Sequence, residues 1–483
     1  MKQVRNLILT AILPMGLLVG CGETQNKQVQ ETDKAWQIAD SIRALIVAPT
    51  FAEKDFVITE YGADVDSTVL STKAIHAAIE ACHQGGGGRV VVPKGTFLTG
   101  AIHLKSNVNL HLEDGAKLLF SRDVADYKPL VKTRWEGMEC MNYSPLIYAY
   151  GQENIAITGN GVLDGNANNK HWWPWKAKKE HGWVEGMDNQ LAAVKKLTQE
   201  VKDRVPVEER IHGDGSFLRP PFIQPYNSSN ILIADVKIIN APFWNINPVL
   251  CENVTVRNVS VVTHGPNNDG CNPESSKNVL ITDCYFDTGD DCIAIKSGRN
   301  EDGREIGRPA ENHIIENCEM KDGHGGIVLG SEISGGAKNI FAQNLKMDSP
   351  ELDRILRIKT SSLRGGIIED IYVRNIEVGT YKEAAVLVDM YYENPGDFMP
   401  TVRNITVENL NVKQGGKFGV LINAYEESPA ENLKIINSNI EGVDVPIQAN
   451  YTKGMKFENV TINGKLVSEE DVQSSSEAEF ETF

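Results

Sequence analysis

The chain has no CxxC pair, no GK[ST] phosphate loop, no apolar run long enough to remain in a bilayer and no excess of positive charge. Each absence removes a class of protein. Without CxxC spacing the cysteines do not form a zinc site. Cys82, Cys140, Cys251, Cys271, Cys284, Cys292 and Cys318 are expected as small core residues, with at least one free thiol because the count is odd. Gly85 to Gly88 lacks the Lys and Ser/Thr of a phosphate loop and follows a helical stretch, so it reads as a turn feeding a strand. With 48 Lys and Arg against 65 Asp and Glu, the net charge is −17, which argues against nucleic acid as a partner. A local cluster of Arg and Lys can still hold a polyanion inside a cleft.

The one apolar run near the N-terminus, Leu7 to Val19, follows Lys2 and Arg5 and leads into Gly20-Cys21. It is too short for a permanent span. It resembles a bacterial lipoprotein signal, which implies cleavage before Cys21, acylation of that cysteine and export, with the lipid as the only membrane contact. On this reading residues 1–20 are the signal and 21–50 a tether and helix. Residues 51–466 form the main domain and 467–483 an acidic tail.

A length of 483 residues suggests about three domains, but an internal repeat overrides that prior. From about Asn107 a unit recurs in which an Asn or Asp opens an alternating apolar stretch and a second Asn or Asp opens another. Clear copies begin at Asn230, Asn253 and Asn278, and others at Asn312, Asn339, Asp370, Asn404 and Asn432, spaced by 23 to 34 residues. Period-two alternation predicts strands, and the Asn/Asp positions predict bends. Coils of this kind bury their inner face only by stacking, so the expected fold is an all-β, single right-handed parallel β-helix with N-terminal capping helices. An antiparallel sandwich would show hairpin turns every 8 to 12 residues and no constant Asn register. Helices are predicted over Asp33 to Ile46 (Ala35, Ile38, Ile42 and Leu45 on one face) and over Thr72 to Cys82 (Ile75, Ala78, Ile79 and Cys82).

Between Asn166 and Pro221 the strand pattern disappears. Trp172, Trp173 and Trp175 are followed by an amphipathic helix over Asp188 to Val205. A loop this long in a compact fold is commonly functional. Its tryptophans can either stack on sugar rings or pack the insertion onto its coil.

Four short segments on successive coils carry the chemistry: Asn267-Asn268-Asp269, Gly289-Asp290-Asp291, Gly323-His324-Gly325 and Arg357-Ile358-Lys359. Stacked at about 4.8 Å, the three carboxylates share one face, and their repulsion raises at least one pKa, leaving an acid beside bases. Arg357 and Lys359 alternate with Ile358, so both cations point outward from one strand. A guanidinium fork plus a point charge suits a sugar carboxylate.

In this order and spacing the four segments resemble the signature of glycoside hydrolase family 28, the polygalacturonases and relatives, over roughly Phe56 to Gly464. Asn268 departs from it, since many members carry Thr there. The resemblance implies hydrolysis of α-1,4-galacturonosidic bonds in pectin with inversion, without cofactor or metal. It implies Asp290 as general acid, Asp269 and Asp291 holding the attacking water, and His324 tuning the acid. Arg357, Lys359 and Asn267 would contact substrate. The expected partner is a pectic polysaccharide or oligogalacturonide, and a monomer is the default oligomeric state. The insertion is expected to narrow one end of the cleft and make the enzyme exo-acting. Alternatives are a glycosidase of rhamnogalacturonan or another substituted pectin, a Ca²⁺-dependent pectate lyase, or a non-catalytic glycan-binding β-helix.

Overall fold

Parallel pairing dominates the chain, coil upon coil. The computed structural model describes residues 34–65 and 67–474, so the expected signal and Cys21, and the expected tail from 475, lie outside the described residues. From the strand Asp55–Val57 to the strand Lys456–Ile462 successive rungs pair in parallel and in register, as in Ile231 on Val254, Val254 on Val279 and Val279 on His313. Crossovers between parallel strands take the right-handed course, giving a right-handed parallel β-helix.

The recurring Asn and Asp residues sit where the chain turns with positive φ, for example Asn253 (61°), Asn278 (56°) and Asn312 (60°). Asn tolerates this left-handed region better than other residues with a Cβ. Stacked side chains also bond to each other, Asn253 Nδ2 to Asn230 Oδ1 at 2.7 Å and Asn339 Nδ2 to Asn312 Oδ1 at 2.9 Å. The ladder therefore satisfies polar groups that each coil alone would leave exposed.

Sequence alternation marks two strands per coil, whereas the structure has three. The third belongs to a separate sheet built from Ile293–Ile295, Ile327–Gly330, Arg354–Lys359, Ala384–Asp389, Phe418–Asn423 and Val445–Asn450. It was hidden because its strands are short, nearly all buried and not opened by Asn. Inside the coils Ile, Val and Leu stack in columns and are almost wholly buried. Each contributes about 1.5–3 kcal/mol of apolar burial. All seven cysteines of the described residues are buried and unpaired.

The helix Thr72–Gln84 buries Ala74, Ile75, Ala78, Ile79 and Cys82 and closes the N-terminal end. The helix at 34–45 does something different. Trp36, Ala39, Ile42 and Ile46 pack with Ile314 and Phe341, on the outer flank of coils halfway along the solenoid. Its buried face is rotated from the expected one, with Ile38 and Leu45 exposed. The cause is Trp36, which lies edge-on to Phe341 at 5.6 Å, with the Arg374 guanidinium 3.7 Å from its ring centroid. Arg43 adds a two-pronged contact with Glu316 at 2.6 and 3.2 Å.

Trp36→Ala should cost about 3 kcal/mol of local packing and free this helix without unfolding the coils. Limited proteolysis should then cut before residue 50 at least tenfold faster, while the thermal unfolding of the solenoid stays within about 2 °C.

Candidate active site

The third sheet carries the site, and the rung register decides which side chains meet. Ile293 pairs with Ile327, and Ile327 with Leu356. Gly270 N donates to Asp291 O at 2.9 Å, and Cys292 N to Gly325 O at 2.8 Å, so Asp269 stacks directly on Asp291. One position earlier in the same register, His324 N donates to Asp290 O at 3.3 Å. The turn at Gly323 has φ of 153°, and a Cβ there would lie 2.7 Å from Asp290 O. Only glycine lets the His324 coil approach the acidic pair so closely.

Oxygens of Asp269, Asp290 and Asp291 lie within 4.8 Å of one another at the floor of a cleft of about 850 Å³. Each carboxylate faces its own cation. Asp291 meets Lys359 Nζ at 2.7 Å and Arg357 at 3.7 Å. Asp290 Oδ1 meets His324 Nδ1 at 3.1 Å. Asp269 Oδ2 accepts from Asn272 Nδ2 at 2.7 Å and lies 3.7 Å from Lys296 Nζ. The Oδ1 atoms of Asp269 and Asp291 are buried and receive no hydrogen bond from the protein. Two anionic acceptors aimed into a shared space suit a bound water.

Crowding acts on these groups unequally. Burial, then the charge of Asp290, pushes Asp269 well above the carboxylate range. Burial would also raise Asp290, but the hydrogen bond and charge of His324, aided by Lys359 and Lys296, outweigh it and hold it well below. His324 is raised to about 9 by its hydrogen bond and attraction to Asp290. The resting proton of the Asp290–His324 pair thus sits on His324, and Asp290 itself is ionised. The one raised carboxyl expected from crowding is therefore Asp269 and not Asp290, the acid that the family resemblance implies, and the cause is the imidazolium at hydrogen-bond distance from Asp290.

Asn267 does not reach the carboxylates through its own amide oxygen, which accepts from Arg219 Nη2 at 2.8 Å. Arg219 is fully buried and also holds the carbonyls of Pro242 and Pro266. It fixes the turn that presents Asp269.

Several wall residues carried no motif: Lys296, Glu332, Trp244, Tyr392, Arg299 and Glu136. Lys296 had a readable signal, since it follows Ile293 and Ile295 by alternation and so faces outward beside Asp290. The others lie in loops just past the strands of the same or neighbouring coils, or in segments further along the chain, where no alternation marks their direction. The aromatic residues at the cleft are Trp244, under Lys296 Nζ at 4.7 Å, and Tyr392, which faces Arg357 and Lys359 at 5.4 and 5.3 Å.

The insertion meets the cleft with polar side chains. Trp172 is buried in the main core, and Trp173 donates to Ala241 O at 2.9 Å while lying flat on Gly265, where a Cβ would come within 2.3 Å of the indole. These rings therefore pack the insertion down. Its helix, Leu191–Lys202, docks through Leu197 and Val201 in a cluster with Trp135, Met138 and Phe243. Lys176, Lys178, Glu180 and His181 then form one wall of the cleft.

By distance alone the three carboxylates could chelate a cation, but Lys296, Lys359, Arg357 and His324 already supply positive charge in that space. His264, Asp287 and Asp322 also cluster nearby, yet both ring nitrogens of His264 face carboxylates, at 3.1 and 3.6 Å.

A parallel β-helix whose outward face gathers three aspartates, a histidine and an Arg/Lys pair in one cleft defines the chain as a glycoside hydrolase. Residues 213–468 match the model of glycosyl hydrolases family 28, and the chain belongs to that family. A hyperthermoactive exopolygalacturonase from Thermotoga maritima has a similar structure, with a TM-score of 0.85 and 43% identity over 89% of this chain and 96% of that one. An exo-poly-α-D-galacturonosidase of Dickeya chrysanthemi is 32% identical over 74% of this chain and 63% of its own length. A probable polygalacturonase of Vitis vinifera is 29% identical over 84% and 74%.

Because the folded pKa of His324 is raised above its unfolded value near 6.5, the pairing stabilises fully below that value and its contribution fades as pH rises through about 9. An NMR titration should place the His324 midpoint near 9 in the wild type. In Asp290→Asn it should fall by more than about one unit.

Proposed function

We propose that the chain hydrolyses α-1,4-galacturonosidic bonds from one end of pectic chains, releasing one or two sugars at a time with inversion. The observation that carries this reading is the convergence of three carboxylates, each within reach of at least one cation, beside a cleft wall built by the insertion. Similarity to the exopolygalacturonases above supports the terminal mode of attack.

Arg357 and Lys359 hold a uronate against the floor by charge-assisted contacts. The His324–Asp290 pair carries one proton. As the leaving oxygen approaches, that proton passes from Nδ1 through Asp290 to the glycosidic oxygen, so Asp290 is the group that delivers it. Asp269 and Asp291 hold the water through their unpartnered Oδ1 atoms and accept its proton as it attacks the anomeric carbon. Asp290 lies within 4.8 Å of both bases, closer than the acid-to-base gap of about 6.5–9.5 Å usual in a two-carboxylate inverting site. Here the water lies between two bases rather than between an acid and a base. The wall carries Lys176 and Lys178 against the single acid Glu180, which favours anionic sugars, and it shortens the groove at that end.

With polygalacturonate and a chelator, the enzyme should release mono- or digalacturonate from the first time points, with no ultraviolet-absorbing unsaturated product. NMR should show the β anomer first. Asp290→Asn should lower kcat by about 10³-fold or more while the fold is retained. A ladder of mixed oligomers, or retained configuration, would overturn the corresponding part of this reading.

We also propose export as a lipoprotein acylated at Cys21. Support comes from the basic start, the short apolar run and the cysteine after it, with the first described helix fixed on the flank of the solenoid away from the acidic floor. In a bacterial host the wild type should partition with membranes, whereas Cys21→Ser should appear in the soluble fraction. Equal partitioning of both would refute the anchor.

A further inference from the structure

Lys296 is a buried ammonium that the mechanism above does not use. It stands in one column of the third sheet between Glu274 and Gly330, and Lys359 is the next residue along that column. Its Nζ donates to Gly330 O at 3.1 Å and Glu332 Oε2 at 2.7 Å, lies 4.7 Å from the Trp244 ring centroid, and is 3.7 Å from Asp269 Oδ2. Among the described residues it is the one cation within ion-pair distance of Asp269. Asp291, by contrast, is already locked to Lys359 at 2.7 Å. Asp269 is therefore the carboxylate with most freedom to take a proton from the attacking water.

We propose that Lys296 and Glu332 form a positioning pair that sets the charge state of Asp269, with Glu332 drawing the ammonium partly away from it. The geometry makes the two carboxylates competitors for one cation, and the shorter contact belongs to Glu332. Weakening the hold of Lys296 on Asp269 leaves that carboxylate basic enough to accept the water's proton. An unopposed ion pair would hold Asp269 permanently ionised and make it a poor base. The other charged groups facing this point are Asp290 and Asp291 from the preceding turn, Lys359 from the next strands, and Glu274 beneath Lys296, itself paired with Arg134 at 3.2 Å. Arg299 and Arg364 face Glu332 from the far wall. Burial would discharge Lys296, yet attraction to Glu332, Asp269 and Asp291 keeps it cationic, consistent with this arrangement.

The inference rests on the hydrolytic reading, and the two can fail separately. Wild type, Glu332→Gln and Lys296→Met are compared on polygalacturonate by the pH dependence of kcat/KM, with thermal melting to establish that each is folded. Lys296→Met removes a positive charge from Asp269, so the acidic limb should move to higher pH by about one unit or more. Glu332→Gln releases the ammonium towards Asp269, so the limb should move to lower pH by a similar amount. A merely structural role would lower activity in both variants without moving the limb in opposite directions. If the wild type hydrolyses the polymer but both limbs stay in place, or move the same way, the pairing is refuted while the reaction stands. If Lys296→Met does not fold, the shift of Glu332→Gln alone decides: a move to lower pH supports the pair, and no move or a rise overturns it. A wild type that hydrolyses nothing refutes the functional reading itself.

Discussion

In-register parallel stacking is the constraint on which the rest of this molecule depends. Each rung is fixed to the next by backbone hydrogen bonds at a strand spacing of about 4.8 Å, so a residue's neighbours are those at the same position one coil away, whatever lies between. Hydrophobic columns, Asn ladders and the acidic floor all follow from that rule. It brings Asp269 onto Asp291 and His324 onto Asp290, side chains that the sequence separates by 22 and 34 residues. Such stacking also forbids like charges from escaping one another. The site answers with a cation for each carboxylate: Lys359 and Arg357, His324, and Lys296.

The matching is deliberate in effect because the three contacts differ in strength. Asp291 is held tightly by Lys359 and is suited to orient. Asp290 shares a proton with a half-exposed imidazole and is suited to deliver it. Asp269 is buried and has the longest cation contact of the three, and it stays basic. One repeated geometry thus yields three different electrostatic settings through three distances, 2.7, 3.1 and 3.7 Å. The opposite pKa displacements of Asp269 and Asp290 follow their surroundings rather than the residue type.

Around this floor the solenoid leaves its sides free, and specificity is added there. The insertion between Asn166 and Pro221 is anchored by tryptophans that turn inward and by a helix set against Trp135, Met138 and Phe243. Its lysines and histidine are thereby presented to the cleft. The helix at 34–45 is fastened to the opposite kind of surface, the flank of coils near Ile314 and Phe341. Neither attachment disturbs the rungs, because both use outward side chains. Loops on a rigid scaffold can change what enters a site without altering the catalytic register.

Local sequence pattern carries the coils and the charged residues of the cleft floor. Asn and Asp at each bend, period-two alternation and the four short motifs are local properties, so Asp269, Asp290, Asp291, His324, Arg357 and Lys359 are legible in the sequence. Lys296 was half legible, its outward direction given by alternation but its partner not. Only the tertiary structure decided the third strand of each coil, the buried face of the first helix and the inward turn of the tryptophans. It alone brought Glu332, Trp244, Tyr392 and Arg219 to the cleft, and it moved the resting proton off Asp290. The physical reason is the same in each case. Alternation and turn chemistry are written in neighbouring residues, whereas burial, charge pairing and the competition of two carboxylates for one ammonium depend on distances that exist only after the coils have stacked.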